Sequence, residues 1–373
     1  MQYTLLIFAI ILTTAVYTGL HYYLYRKLMH IFPNHRQRLI SALLMLACSL
    51  FVVEALNLAG LTRFVSALAW LTYFWMGFIV IFFFISAPLD IIETVSKYFQ
   101  LTSLQTLLAS KQRTIATTAL VLLLACQGYF NAQKINLETF TIASEKISTP
   151  LRIVQISDLH LGLLTREKNI RLLSRTINSL EPDILVSTGD LVDMQPLSVQ
   201  NYARLLAAIK ATLGKYAVIG NHEVFAGLDK ARELIHSAGF SLLSNSGTTV
   251  NNLIDIVGVD DASVSGNIYN SDVNESQLLA AYSNKRYTLL LKHQPVVDAD
   301  SAGLFDLQLS GHTHGGQIFP FGLLTKLVYP LGFGLTQLNN AQWVYVSRGT
   351  GTWGPPIRLL AKAEITLIVL RPL

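Results

Sequence analysis

Four apolar runs occupy the first third of this 373-residue chain, at about residues 4–20, 39–60, 64–86 and 114–130, and they leave it few ways to fold. A helix needs about 20 apolar residues, at about 1.5 Å each, to cross about 30 Å of hydrocarbon. The second and third runs exceed that length, and the first and fourth reach its short end. In lipid such runs satisfy their backbone only as helices. Residues 1–131 are therefore expected to form an α-helical membrane domain of about four spans. Met1-Gln2-Tyr3 carries no positive side chain and no small-residue cleavage site follows, so the first run reads as an uncleaved anchor. With 51% hydrophobic and only 14% charged residues, disordered, collagen-like and coiled-coil classes are excluded.

The charges indicate which way the spans face. The first 150 residues hold 10 Lys+Arg against 5 Asp+Glu, and the rest of the chain holds 18 of each. Arg26, Lys27, Arg36 and Arg38 follow the first run, and Lys97, Lys111 and Arg113 follow the third, whereas only Arg63 follows the second. The positive-inside rule then puts the first and third loops in the cytoplasm and the second half of the chain on the exoplasmic side. Basic residues that flank apolar runs belong to membrane topology, so nucleic acid is not an expected partner despite a pI near 9.1. The two cysteines, Cys48 and Cys126, lie inside apolar runs and support neither a disulfide framework nor a thiolate metal site.

Three features of the apolar portions each carry two readings. Glu54, inside the second span, is either an intramembrane functional group or the partner in a snorkelling or helix–helix contact. Residues 90–110 form either an interfacial amphipathic segment or a short cytoplasmic helical loop. Far downstream, Phe319–Leu335 is rich in apolar and aromatic residues. It is read first as packing against the core and second as a membrane-facing lip.

From about residue 132 the texture changes. A leading strand is expected near Asn136–Ser144. Short apolar runs then follow at Leu151–Ile156, Asp183–Val186, Tyr216–Ile219, Leu253–Val259, Tyr287–Leu291 and Phe305–Leu309. Amphipathic stretches lie between them, at about 166–180, 197–212, 228–237 and 275–282. This alternation predicts an α/β domain over residues 132–373 with a largely buried sheet.

Polar clusters follow five of these runs. They are Asp158-Leu159-His160; Gly189-Asp190 with Asp193 behind it; Gly220-Asn221-His222-Glu223; Lys292-His293; and Gly311-His312-Thr313-His314. If the runs are strands, every cluster leaves the sheet at its carboxyl edge, where open α/β sheets bind ligands. Five of the six histidines beyond residue 150 fall in these clusters, and His236 alone does not. Carboxylates, an amide and imidazoles gathered in one crevice without thiolates suit borderline divalent ions such as Mn, Fe or Zn. The inventory exceeds the three protein ligands of a catalytic tetrahedral site and fits two neighbouring ions. The adjacent glycines allow close backbone approach.

In this order the series resembles the calcineurin-like metallophosphoesterase superfamily over about residues 150–320. The stretches Asp158-Leu-His-Leu-Gly162, Gly311-His-Thr-His-Gly-Gly-Gln317 and Ser347-Arg-Gly-Thr-Gly351 are further similar to its membrane-anchored bacterial subgroup. The resemblance implies a four-layer α/β/β/α sandwich. It implies one ion held by Asp158, His160, Asp190 and His314, and a second held by Asp190, Asn221, His293 and His312, with Asp190 bridging. It also makes His222 a non-ligand histidine beside the phosphate, and Glu223 the group that fixes the His222 ring. Arg348 is a candidate to grip a phosphate or headgroup, and a structural ion pair is the other reading.

The function expected is a membrane-anchored, dinuclear metal-dependent phosphohydrolase in a bacterial-type cell membrane. It would cleave a phosphodiester or pyrophosphate of a lipid or envelope glycolipid, with a metal-bridging hydroxide as nucleophile and His222 as proton donor. Family members include UDP-2,3-diacylglucosamine diphosphatases, which act on a cytoplasmic intermediate. That activity becomes the alternative if the second half is cytoplasmic. A non-catalytic, metal-stabilised membrane sensor or scaffold is a third reading.

Overall fold

A computed structural model describes residues 2–59, 61–102, 111–193, 200–266, 273–282, 285–338 and 342–373. The chain divides into two compact units, one of residues 1–130 and 354–359, the other of residues 131–353 and 360–373.

The first unit is helical, with helices Gln2–Ile31, Arg36–Leu58, Thr62–Tyr98 and Lys111–Ala132. Three stretches among the described residues are long and apolar enough to cross a membrane: Pro33–Asn57, Val65–Tyr98 and Lys111–Ala132. The first expected run lies in the 30-residue helix Gln2–Ile31, whose opening side chains fall outside the described set. Helix Thr62–Tyr98 has 37 residues. At about 1.5 Å per residue it is about 55 Å long, more than the hydrocarbon needs, and its surplus turns carry charge. Asp90 there accepts from Lys27 at 2.5 Å, from Tyr23 at 2.6 Å and from Arg113 at 2.9 Å. Three helices thus meet in one ionic cluster, and the loops expected on the cytoplasmic side share one end of this unit. Glu54 accepts from Tyr73 Oη at 2.5 Å on the following helix, as the helix–helix reading requires. Of the tract 90–110, the helix runs to Tyr98, and residues 103–110 lie outside the described set.

Among the described residues the second unit has twelve strands: β1 Asn136–Ala143, β2 Leu151–Ile156, β3 Ile184–Ser187, β4 Lys215–Ala217, β5 Ser241–Leu242, β6 Ser246–Val250, β7 Ile254–Val259, β8 Tyr287–Lys292, β9 Leu307–Ser310, β10 Gly334–Gln337, β11 Trp343–Val346 and β12 Glu364–Arg371. They form two six-stranded sheets in the orders β1-β12-β2-β3-β4-β5 and β10-β11-β9-β8-β7-β6. Strands β2 to β5 are parallel, as are β7, β8, β9 and β11, while β12 runs antiparallel to β2 and parallel to β1.

The period of two along each strand sorts side chains between layers. Ile153, Val186, Leu289, Leu309 and Ile368 fill the space between the sheets. From the other face of the first sheet, Val154, Ile156 and Leu185 meet Ile170, Leu173 and Ile177 of helix Glu167–Ser179 and Leu234 of helix Leu228–Ser237. On the far face of the second sheet, Val257, Leu290 and Val344 pack with Leu279 of helix Glu275–Ala280. The result is the helix–sheet–sheet–helix sandwich expected.

One expectation fails. Helix Phe321–Val328 has no buried residue. Leu323, Leu324, Leu327 and Val328 all face outward, so this helix does not pack into the core, whereas Tyr329 and Leu331 behind it do. Apolar composition was read as burial, but no other described element covers this face.

Candidate metal centre

The parallel strands bring the five clusters together. Asp158 and His160 leave the end of β2, Asp190 that of β3, Asn221 and His222 that of β4, His293 that of β8, and His312 and His314 that of β9. Backbone bonds tie the exits to one another: Asp158 N–H donates to Gly189 O, His160 N–H to Asp190 O, and Gly311 N–H to His293 O. Five of the seven expected ligands, Asp158, His160, Asp190, His312 and His314, hold a positive φ between 49° and 71°. Non-glycine residues avoid that region, and its use at one spot marks backbone strained in the service of a site. Two glycines are needed for close approach. A Cβ on Gly311 would lie 1.9 Å from Ser157 Oγ and 2.3 Å from Asp158 Oδ2, and one on Gly220 would lie 2.3 Å from Asp190 Oδ1.

The donor atoms form two groups. In one, His160 Nε2 lies 3.0 Å from His314 Nε2, and His314 Nε2 lies 3.5 Å from Asp158 Oδ1. In the other, His293 Nε2 lies 3.2 Å from Asp190 Oδ2 and 3.2 Å from Asn221 Oδ1. His312 Nδ1 there lies 3.1 Å from both Asn221 Oδ1 and His293 Nε2. Asp190 Oδ2 is also 3.9 Å from His160 Nε2, so this one oxygen stands between the groups. A cation bound at about 2.1 Å sets neighbouring donors about 3.0 Å apart at right angles and about 3.4 Å apart at tetrahedral angles. The observed separations match, and the residues fit a metal-binding assignment.

Electrostatics point the same way. Burial pushes the Asp158 carboxyl up to about 6 and the imidazoles of His160 and His312 down to about 4, so both rings are neutral donors at neutral pH. Burial also opposes charge on Asp190 and His293, yet each outweighs it for the other at 3.2 Å, which holds Asp190 well below and His293 well above their ordinary values. The pocket thus favours a positive charge beside Asp190, supplied by a proton where a divalent cation would also serve. The His293 Nδ1–H donates to Thr188 O at 2.8 Å, which leaves Nε2 to face the group.

His222 lies beside these groups, its ring 4.6 Å from that of His160. Its Nδ1 is 3.0 Å from Asp193 Oδ1. A carboxylate can only accept, so Nδ1 carries the proton and Nε2 is available. Burial pulls the His222 imidazole down, but the Asp193 bond, together with the Asp190 and Glu223 charges, wins and raises it.

Glu223 needs a correction. It was expected to fix the His222 ring, and Asp193 occupies that position instead. Glu223 is fully buried, and it accepts from the backbone N–H of Asp190 at 2.9 Å, Val192 at 3.1 Å and Gly220 at 2.8 Å. It therefore clamps the β3 and β4 exits to each other. Burial and the Asp190 charge push its carboxyl up to about 7 against these donors.

Arg348 donates from Nε to Glu364 Oε2 at 2.5 Å and pairs with Glu138 as well. The guanidinium lies over the Phe333 ring at 5.3 Å. Of the two readings left open, this arrangement supports the structural ion pair.

Asp193 stands three residues behind Asp190 and was visible as part of a cluster, though without a role. Trp353, whose ring lies 6.1 Å from that of His222, gave no sequence signal, because more than 100 residues separate the two. Gln317 holds Trp353 in place, donating to its carbonyl at 2.8 Å and accepting from its N–H at 2.9 Å.

The sequence profile described as calcineurin-like phosphoesterase matches residues 151–316. An uncharacterized metallophosphoesterase of Aquifex aeolicus is 34% identical over 255 residues, which cover 68% of this chain and 98% of that protein. One of Campylobacter jejuni is 35% identical over 227 residues, covering 59% of each. A transmembrane protein with metallophosphoesterase domain from Danio rerio is 32% identical over 277 residues, covering 70% of this chain and 63% of the relative.

Proposed function

Because this chain belongs to the calcineurin-like metallophosphoesterases, metal-dependent hydrolases of phosphoric esters, we propose that it works as a dinuclear phosphohydrolase on a lipid-borne phosphodiester or pyrophosphate. Residues 1–131 would be its membrane domain and residues 132–373 its catalytic domain, on the exoplasmic side. The observation that carries this reading is the meeting of seven candidate ligand side chains from five strand ends, split into two groups with Asp190 between them.

Asp158, His160 and His314, with Asp190, would hold one cation, and Asp190, Asn221, His293 and His312 the other. The absence of thiolates favours Mn, Fe or Zn. When bound, such a pair supplies a water nucleophile at neutral pH and neutralises charge on the phosphoryl oxygens. The protein's own part is to place proton and charge. Asp193 fixes the His222 ring and supports its charged form. The protonated ring gives its Nε2 proton to the departing alkoxide, a role worth about 10²–10⁴-fold. Glu223 holds the Asp190 and Asn221 loops in register through three backbone bonds. A lipid or envelope glycolipid is the favoured substrate because the membrane helices confine the site to the bilayer.

The test compares metal content and turnover of bis(p-nitrophenyl) phosphate for the purified full chain with added Mn²⁺. His222→Ala should keep its metal and lose at least 100-fold in kcat, whereas Asp190→Ala should lose both, and chelation of the parent should abolish turnover. Metal loss in His222→Ala equal to that in Asp190→Ala would make His222 a ligand and remove it as the proton donor.

A further inference from the structure

The uncovered helix Phe321–Val328 is anchored at both ends to the candidate metal centre. It begins seven residues after His314, and Gly316 packs directly on Gly322, where a Cβ would lie 2.0 Å from Gly322 N. At its other end Tyr329 sets its ring 5.2 Å from that of His312 and donates to Gln294 Oε1 at 3.2 Å, beside His293. Its outward side chains are apolar, with Leu323 60% and Leu327 80% exposed. Trp353, 57% exposed, continues this apolar rim on the His222 side, and Leu360, 78% exposed, bridges to Ile318. Exposed apolar surface gathered around one site marks a binding face.

Two further observations identify the occupant. The chain has no Asp or Glu from Leu307 to Ala363, while the exposed lysines Lys326 and Lys362 fall within that stretch. Exposed apolar side chains with lysines and no acidic residue in the same stretch complement a lipid surface with anionic headgroups and acyl chains below them. The chain also carries apolar helices that can hold it at a membrane. Only three residues separate helix Lys111–Ala132 from β1.

We propose that Phe321–Val328, with Trp353 and Leu360, is a docking lip that inserts into the bilayer interface and presents lipid phosphates to the metal centre. Docking stands independently of the activity. Only the delivery of a lipid substrate rests on the phosphohydrolase reading.

The full chain with Cys48→Ser and Cys126→Ser, carrying an environment-sensitive fluorophore on Leu327→Cys, would be reconstituted in vesicles of phosphatidylcholine and phosphatidylglycerol. Lipids brominated on their acyl chains should quench this label at least twofold more than the same label on Leu172→Cys, an exposed site on helix Glu167–Ser179. Equal quenching at the two sites overturns the proposal. So does a Leu327 label shielded from the lipids that self-quenches as the protein-to-lipid ratio rises, which would put a second copy of the chain on this face. A second variant, Leu323→Glu/Leu327→Glu, should retain its metal content and hydrolyse a vesicle-borne phosphodiester at least tenfold more slowly, and an unchanged rate argues against delivery. If the parent turns over no phosphoester, the phosphohydrolase reading fails, while the quenching result still decides the lip.

Discussion

At the residue scale, the site depends on what is missing from Gly311 as much as on the ligands. Its Cα approaches Ser157 and Asp158 so closely that even a methyl group collides with both. Ser157 Oγ donates to Asp158 Oδ2 at 2.6 Å, and His312 N–H donates to the same carboxylate at 2.9 Å, so a shift of one propagates to three. Gly311→Ala should therefore lower metal content by at least half and turnover by more than tenfold, as measured by elemental analysis and phosphodiester hydrolysis. The seven candidate ligands were legible in the sequence because each sits within a few residues of the end of an apolar run. The partner of His222 was less so. Glu223 is its sequence neighbour, yet a helical turn directs that carboxylate back onto three backbone amides, and Asp193 reaches the ring from another strand exit. Proximity in sequence gave the wrong partner because ring contact is a tertiary property.

Among the elements, the strands that read best were β2 and β8, which lie inside their sheets with neighbours on both sides. Both lie within a residue of their expected limits, since short, mostly apolar runs are what interior strands require. β12 was missed. Its register against β1 and β2 is set by residues more than 200 positions away, and no local pattern announces an inserted antiparallel strand. Its weight in the fold is large all the same. Ile368 is fully buried between the two sheets, so Ile368→Ala should cost about 2–5 kcal/mol, seen as a lowered midpoint of thermal unfolding. Helix Phe321–Val328 misled in the opposite sense. Hydropathy predicts that a segment leaves water, but not whether it enters the protein core or a membrane.

For the molecule as a whole, orientation in the membrane decides which phosphates the enzyme meets. The cluster of Lys27, Asp90 and Arg113 draws the two most basic loops to one end of the helical unit, in keeping with a shared cytoplasmic side. An alkaline phosphatase fused to the carboxyl terminus in a bacterial host should then be active, and a fluorescent protein at the same position dark. The reverse pattern would bring the cytoplasmic diphosphatase alternative forward.

The placement of β12 also bears on biogenesis. β1 follows directly from the last membrane helix, yet its one partner in the sheet is the strand translated after every other strand. Until that strand pairs with it, β1 has no neighbour in the sheet and its edge stays open. A chain truncated just before residue 364 should therefore be degraded rather than accumulate as a shortened enzyme, as an immunoblot of the expressed product would measure.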